Sequence, residues 1–82
     1  MEAFVIMREA KKLFSTDKVP PVTVKPVVAL SSMQLATNWL RDMRHIYDHE
    51  TLMYVTDFTD NSLTVRLLLT IIRYYVVAVD YI

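Results

Sequence analysis

The chain of 82 residues contains no glycine and no cysteine. At average usage, a protein of this length would have roughly six glycines. Without glycine, no residue adopts positive φ angles freely, so glycine-containing hairpin turns and phosphate-binding loops are not expected. Without cysteine, disulfides and zinc–thiolate sites are excluded. The two absences favour helices joined by polar or proline-containing links, and they disfavour enzymes that bind nucleotides through glycine-rich loops.

The chain also lacks an excess of charge of either sign. Nine basic and nine acidic residues cancel, and the pI is about 6.7. A nucleic-acid-binding domain is expected to have a clustered basic face and a pI above about 9, so a nucleic-acid partner is not expected. Because self-repulsion is weak, association at neutral pH is electrostatically unopposed.

Neither end of the sequence has a clear membrane or export signal. The N-terminal run MEAFVIMREAKKLF is interrupted by Glu2 and Glu9, which excludes a signal peptide and leaves an intracellular location as the default. The last twenty residues, LTVRLLLTIIRYYVVAVDYI, are mostly apolar. However, Arg73 lies in the middle of this run, where insertion of a charge into a bilayer costs about 2.5–3.5 kcal/mol. Association with a membrane therefore remains an alternative rather than the main prediction.

The first predicted helix covers residues 1–15. Apolar residues recur there at steps of three and four, namely Ala3, Met7, Ala10 and Phe14. The following segment, KVPPVTVKPVV, contains three prolines, so residues 16–31 are predicted to be an extended linker. Because Val22 and Val24 alternate with polar neighbours, a short edge strand is the alternative for part of this segment.

The second predicted helix covers residues 32–55. Ser31 and Gln34 have the spacing of a capping box, which marks a helix start. Behind them, apolar residues form one helical stripe that comprises Ala36, Trp39, Leu40, Met43, Ile46 and Tyr47. The end of the helix is predicted near Tyr54, although Tyr54 and Val55 also suit a strand.

The third predicted helix covers residues 62–81. Asp60, Asn61 and Ser62 are favourable N-cap residues in succession. Within the helix, a narrow polar stripe runs along an otherwise apolar cylinder; it includes Arg66, Thr70, Arg73 and Asp80. A helix that is apolar on most of its circumference must be contacted from several sides. Two further amphipathic helices do not supply that much cover.

The predicted fold class is therefore all-α. Residues 1–82 are expected to form a single small three-helix domain, with an extended proline-containing segment between the first two helices. Apolar residues make up 54% of the chain, and a chain this short buries only about 60% of its unfolded surface. The apolar excess predicts that a partner chain completes the helical bundle.

Candidate sites for chemistry are weak. His45 and His49 are four residues apart and would share a helix face with Asp42, a spacing that can contribute to a metal site. No third distant ligand and no HExxH arrangement accompany them, so neither a metal nor a cofactor is predicted. The segment DFTDNS lacks the pattern of a calcium-binding loop and is attributed to helix capping. No catalytic residues are predicted, and no small-molecule substrate is expected.

The predicted function is that of a non-enzymatic protein–protein interaction module. Tryptophan, tyrosine and methionine are enriched at interfaces, and the residues expected to form this one are Trp39, Met43, Leu67, Ile71, Tyr74, Tyr75 and Tyr81. Arg66, Arg73 and Asp80 are expected to fix the register by charge. The partner would be a second copy or another protein subunit. The alternatives are a small membrane-associated subunit, with the third helix in or on the bilayer, and a piece of a larger helical protein.

Overall fold

The chain folds into an antiparallel β-sheet with one helix on one of its faces. The computed structural model describes residues 1–13 and 22–81. Its elements are β1 (Glu2–Lys12), β2 (Val22–Leu30), α1 (Met33–Asp48), β3 (Met53–Phe58), β4 (Ser62–Leu67) and β5 (Thr70–Asp80). The five strands are ordered β2-β1-β5-β4-β3. The prediction of an all-α helical bundle is therefore wrong.

Two of the three predicted helices are strands. Within the segment predicted as the first helix, residues 2–12 form β1, which pairs with β2 and β5 in the interior of the sheet, and residues 14 and 15 lie outside the described residues. The segment predicted as the third helix is the β4–β5 hairpin. A strand that is apolar on both faces shows no alternation, so its sequence cannot be distinguished from a buried helix by periodicity alone. Both AFVIM in β1 and YYVVAV in β5 have this character.

The helix α1 begins where the sequence placed the second helix but ends earlier, at Asp48. Its N-cap is Ser32 rather than Ser31, because the Ser32 hydroxyl oxygen accepts a hydrogen bond from the Leu35 amide at 3.1 Å. From Met53 onward the strand preference of Tyr54 and its neighbours prevails. Within the described ranges, α1 is too short and too polar to cross a membrane, and no other segment there is helical.

The core lies between α1 and one face of the sheet, here called the covered face. Residues directly opposite each other on neighbouring strands point to the same face, and Ile72, for example, is paired with Val65 and with Ala10. The buried residues come from the helix and from three adjacent strands; they are Ile6, Ala36, Leu40, Tyr47, Leu63, Val65, Ile72 and Tyr74. Trp39 and Met43 pack against this cluster from the predicted helical stripe, whereas Ile46, from the same stripe, is exposed.

The hairpin turns form without glycine. In the two-residue turn between β4 and β5, Leu68 itself adopts a φ of 45°. The turn between β3 and β4 is held by polar groups, since the Thr59 amide donates to the Ser62 carbonyl at 2.9 Å. The Thr37 hydroxyl of α1 also donates to the Asp60 carbonyl at 2.9 Å. Residues 60–62, expected to cap a helix, therefore form a turn and the start of β4.

The proline-containing segment supplies an edge of the sheet. β2 includes Pro26, which lies at a register shift opposite the Ile6–Met7 step of β1. A proline is tolerated at an edge or a bulge because it cannot donate to the sheet ladder. An extended linker was expected here, with a short edge strand ending at Pro26 as the alternative, whereas the observed strand has nine residues and continues past Pro26 to Leu30. The first part of the predicted linker, through Pro21, lies outside the described residues.

Candidate functional site

The face of the sheet opposite α1, here called the open face, bears a contiguous apolar patch. Val5 lies opposite Val77, and Met7 lies opposite Tyr75, across the central β1–β5 pair. With Val79 these residues define the open-face patch. Val77 is 38% exposed and Val79 is 41% exposed, although both lie on a central strand. Exposed apolar surface that is contiguous, rather than scattered, is characteristic of interaction sites.

The other half of the open face is polar and carries both signs of charge. Glu9 of β1 lies directly opposite Arg73 of β5. Arg73 also places its guanidinium 4.7 Å from the centroid of the Tyr75 ring, which links the charged half to the open-face patch through a cation–π contact. Lys11 and Arg66 flank Ile71 on its two neighbouring strands. The open face therefore combines an apolar half with a half of mixed charge.

A second candidate site is a cavity of about 330 Å³ on the covered face, beside α1. This volume is near the lower end of the range of small-molecule sites, about 300–1,000 Å³. The described residues that line it are Arg8, Lys25, Pro26, Val27, Trp39, Met43 and Tyr74. The Trp39 and Tyr74 rings meet edge to face, with centroids 5.4 Å apart and planes at 61°. The cavity thus has aromatic walls and two cationic side chains.

Beneath this cavity, Tyr47 and Tyr74 form a buried hydroxyl pair. Their oxygens are 2.9 Å apart. Burial raises the pKa of Tyr47 above its ordinary value of 10.0, and the hydrogen bond with Tyr74 raises it further, while Arg8 acts in the opposite direction. Arg8 lies directly opposite Tyr74 in the pairing of β1 with β5, which places its side chain on the same face as the tyrosine pair. Glu50 also raises the pKa of Tyr47, but its side chain is exposed and is not part of the described cavity wall.

The predicted interface residues are divided between the two sites. Trp39, Met43 and Tyr74 line the cavity. On the open face lie Ile71, Tyr75, Arg66 and Arg73. Leu67 lies on the covered side, at the end of β4.

The last two predicted residues contact the N-terminus instead. The Asp80 carboxylate accepts a hydrogen bond from the Met1 amino group at 3.3 Å, and the Tyr81 amide donates to the Met1 carbonyl at 2.8 Å. The structure therefore does not bring the three predicted register charges together.

Helical projection of the sequence missed most residues of these sites. From the open-face patch it missed Val5, Met7, Val77 and Val79, and from the cavity lining it missed Arg8, Lys25, Pro26 and Val27. Each of these residues was assigned to a predicted helix or to the predicted linker. The pairing between strands that brings them together was therefore not considered. The enrichment of β-branched and aromatic residues in the last twenty positions was the available signal for strands.

The two histidines do lie together at the C-terminal end of α1, where His49 is the C-cap. Their ring centroids are 4.5 Å apart, and Nδ1 of His49 donates to the His45 carbonyl at 2.8 Å, which occupies that nitrogen at the C-terminus of the helix. Within residues 1–13 and 22–81, no three side chains of the metal-binding types come together. The geometry of the pair is accounted for by helix termination.

No protein-family profile, curated protein or solved structure matches this chain significantly. The open face and the cavity are therefore interpreted from the chemistry and geometry of their own residues. They lie on opposite sides of one sheet, and the side chains of each project away from the other. A ligand in the cavity and a protein on the open face would occupy separate space.

Proposed function

We propose that this protein is a non-enzymatic interaction module that forms a homodimer through the open face of its sheet. The observation that carries the proposal is the open-face patch, a row of paired apolar side chains on the two central strands. Each fully buried Val or Met side chain contributes about 1.5–3 kcal/mol relative to its exposed state. Because the patch residues are contiguous and only partly buried, covering them gives association a favourable free energy.

The shape of the molecule supports docking by a face. Its dimensions are 43 × 31 × 15 Å, and its radius of gyration is 13.8 Å, compared with about 12 Å for a compact domain of this length. The protein is thus a thin plate with one layer of strands and one helix. Each partner in a standard interface contributes about 800 Å², and a plate of these dimensions is wide enough to provide it.

The edges of the sheet are less suited to association than its open face. β2 has Pro26 and a register shift, and β3 has only six residues with a further shift between Val55 and Asp57. Prolines, bulges and short strands are features that protect edges against pairing with another chain. A dimer built by joining two sheets edge to edge would require these features to be overcome.

A second copy fits the open face in one particular orientation. Consider a two-fold axis that lies between two stacked sheets, parallel to the strands and midway between β1 and β5. Such an axis places β1 of one copy over β5 of the other at the same height. Because Val5 and Val77 are directly opposite each other, Val5 would then lie over the partner's Val77.

The same axis also matches the charges. Glu9 and Arg73 share one row of the open face, so each Glu9 would face the partner's Arg73, and the contact would occur twice. An axis perpendicular to the strands through the middle of the open face would instead place the apolar half of one copy on the charged half of the other. Charge complementarity and apolar burial therefore favour the same arrangement, a face-to-face pair of sheets about 10 Å apart.

The first test is the effect of a charge in the open-face patch on the oligomeric state. We expect the wild-type protein to be a dimer in light scattering after size exclusion, and Val77→Lys to raise the dimer dissociation constant by about a hundredfold or more. The two-fold axis brings the new ammonium group into the interface twice, where its desolvation is uncompensated. Ile46→Lys is the matched control, since Ile46 is exposed on α1, and it should leave dimerisation unchanged.

Circular dichroism on both variants checks that the fold is retained. A folded wild-type protein that stays monomeric across a concentration series, or equal dimerisation by wild-type and Val77→Lys protein, would contradict the proposal.

A mixing experiment tests the orientation. Glu9→Lys and Arg73→Glu should each weaken self-association, because like charges then face each other across the axis. Mixed together, the two variants should form a heterodimer in preference to either homodimer, since each position 9 then faces a position 73 of opposite charge. The contacts within each chain are the same before and after mixing, so the preference arises from attraction between the two chains. The weakened self-association of each single variant then assigns it to the contact between positions 9 and 73, because a contact of each position with its own copy would keep like charges together in both variants. Random assortment would exclude the proposed axis.

A further inference from the structure

We infer that the cavity between α1 and the β1–β2 pair binds a small carboxylate with an aromatic or aliphatic body. The inference is separate from the proposed dimer, because it concerns the covered face of the sheet. It is carried by the combination of an unusual pair of cations, aromatic walls and a hydroxyl proton that the tyrosine pair leaves unused.

The two cations are placed directly opposite each other on neighbouring strands. Arg8 of β1 is paired with Lys25 of β2, and both line the cavity. Like charges placed directly opposite each other destabilise a sheet. Among the described residues, neither side chain forms an ion pair, and the cavity wall contains no carboxylate. A bound anion would convert this repulsion into two favourable contacts.

The position of the cations suits the carboxylate end of a ligand. Arg8 is half-buried, whereas Lys25 is exposed, so one cation lies within the cavity and the other lies at its mouth. A guanidinium presents its donors in a fixed fork that matches the two oxygens of a carboxylate, and a partly desolvated site strengthens this contact. The ammonium group of Lys25 would then add attraction at the mouth.

The remaining walls suit an apolar body. Trp39 and Tyr74 offer an edge-to-face aromatic corner, and Met43 lines the same space. Methionine adapts to irregular shapes and makes favourable contacts between its sulfur and aromatic rings. A volume of about 330 Å³ limits the ligand to a small molecule, such as a short arylalkanoic or alkanoic acid.

The tyrosine pair supplies a further donor. One hydroxyl proton is used in the bond of 2.9 Å between Tyr47 and Tyr74. Within residues 1–13 and 22–81 no acceptor takes the second proton of the pair, which can therefore be donated to a ligand. Tyr74 is 5% exposed and lines the cavity. When Tyr47 donates the hydrogen bond within the pair, the hydroxyl proton of Tyr74 remains free. Tyr74 can then donate that proton to a ligand carboxylate oxygen held by Arg8.

Tryptophan emission provides a direct test because Trp39 is the only tryptophan in the chain. The probes are 3-phenylpropionate and hexanoate, with 3-phenylpropanol as the neutral analogue and inorganic phosphate as the anion without an apolar body. We expect saturable changes in emission with the two carboxylates, and at least tenfold weaker binding of the alcohol and of phosphate.

Substitutions then assign the binding to the cavity. Arg8→Gln should weaken binding of 3-phenylpropionate by about ten- to a hundredfold, as expected for loss of a hydrogen bond between charged groups. Lys25→Glu should also weaken binding while raising the melting temperature of the ligand-free protein, because it replaces a repulsive cross-strand pair with an attractive one. Lys12→Gln is the control, since Lys12 is exposed on β1 outside the cavity.

The stability of the Lys25→Glu variant ensures that loss of binding cannot be attributed to loss of fold. Three results would overturn the inference. These are the absence of saturable binding for both carboxylates, equal affinity for the acid and the alcohol, and equal loss of binding in Lys12→Gln and Lys25→Glu.

Discussion

Leu68 occupies the first central position of the β4–β5 turn with a φ of 45°. A left-handed conformation costs a residue with a Cβ about 1–2 kcal/mol, and two-residue hairpin turns favour glycine for this reason. We expect Leu68→Gly to raise the free energy of unfolding by about 0.5–1 kcal/mol, because released strain exceeds the added chain entropy of the unfolded state. Thermal unfolding should show this gain as an increase of a few degrees in the melting temperature.

The neighbouring leucine is the control for this substitution. Leu69 is similarly exposed but has no positive φ, so Leu69→Gly should lower stability through chain entropy alone. Equal effects of the two substitutions would show that the turn stores no strain at Leu68.

The buried Tyr47–Tyr74 pair makes stability depend on alkaline pH. Because the pKa of Tyr47 is raised in the folded protein above 10.0, the folded state retains a proton that the unfolded state releases. The contribution of the Tyr47 proton to the free energy of unfolding is fully present below pH 10.0 and is lost as the pH rises further. We expect chemical denaturation curves to show this decline in the wild-type protein and a smaller one in Tyr47→Phe. An identical decline in both proteins would assign it to other groups.

At the scale of single elements, α1 shows what the sequence predicts well. Its apolar stripe contains Ala36, Leu40 and Tyr47, which the structure buries, and its start is marked by serines. Local signals suffice here because an amphipathic helix encodes its own period and its own cap. The end of the helix was placed too late, since the preference of the following residues for a strand is realised only when β3 pairs with β4.

The cap of α1 gives a prediction at the same scale. Ser32→Ala should lower the free energy of unfolding by about 1 kcal/mol, because the Leu35 amide would lose its acceptor. Ser31→Ala is a closely matched control, since Ser31 precedes the cap and is exposed. It should change stability by no more than a few tenths of a kcal/mol. Denaturant titration distinguishes the two, and equal losses would show that Ser32 is not the cap.

The strands could not be predicted in the same way. In β1, Val5 faces the open side and Ile6 faces the core, yet both are apolar, so the alternation that identifies a strand is absent. The absence of glycine was also given too much weight, because Leu68 accepts the conformation that a hairpin turn requires. The prediction that the apolar excess needs cover from a partner remains a prediction, and only strand pairing shows which side chains form the exposed apolar surface.

At the scale of the whole molecule, the cavity could not be predicted from the sequence, because its walls come from elements that are distant along the chain. Arg8 and Lys25 are brought together by the register of β1 and β2, and Trp39 is added by the packing of α1 on the covered face. No local pattern joins these three positions. Sites assembled by long-range pairing in a sheet become visible only when that pairing is known, whereas sites on one helix can be read from residue spacing.

The central position of the β1–β5 pair also governs how the chain acquires its fold. β1 and β5 lie at opposite ends of the described sequence, and their register joins Glu2 to Asp80. Such a contact forms only after a long loop has closed, whereas β3, β4 and β5 are joined by short turns. The β3–β4–β5 meander is therefore expected to form early, with the apolar edge of β5 unpaired until β1 docks. During that interval β5 is the segment most exposed to pairing with another chain, so rapid folding at low concentration protects this protein from aggregation.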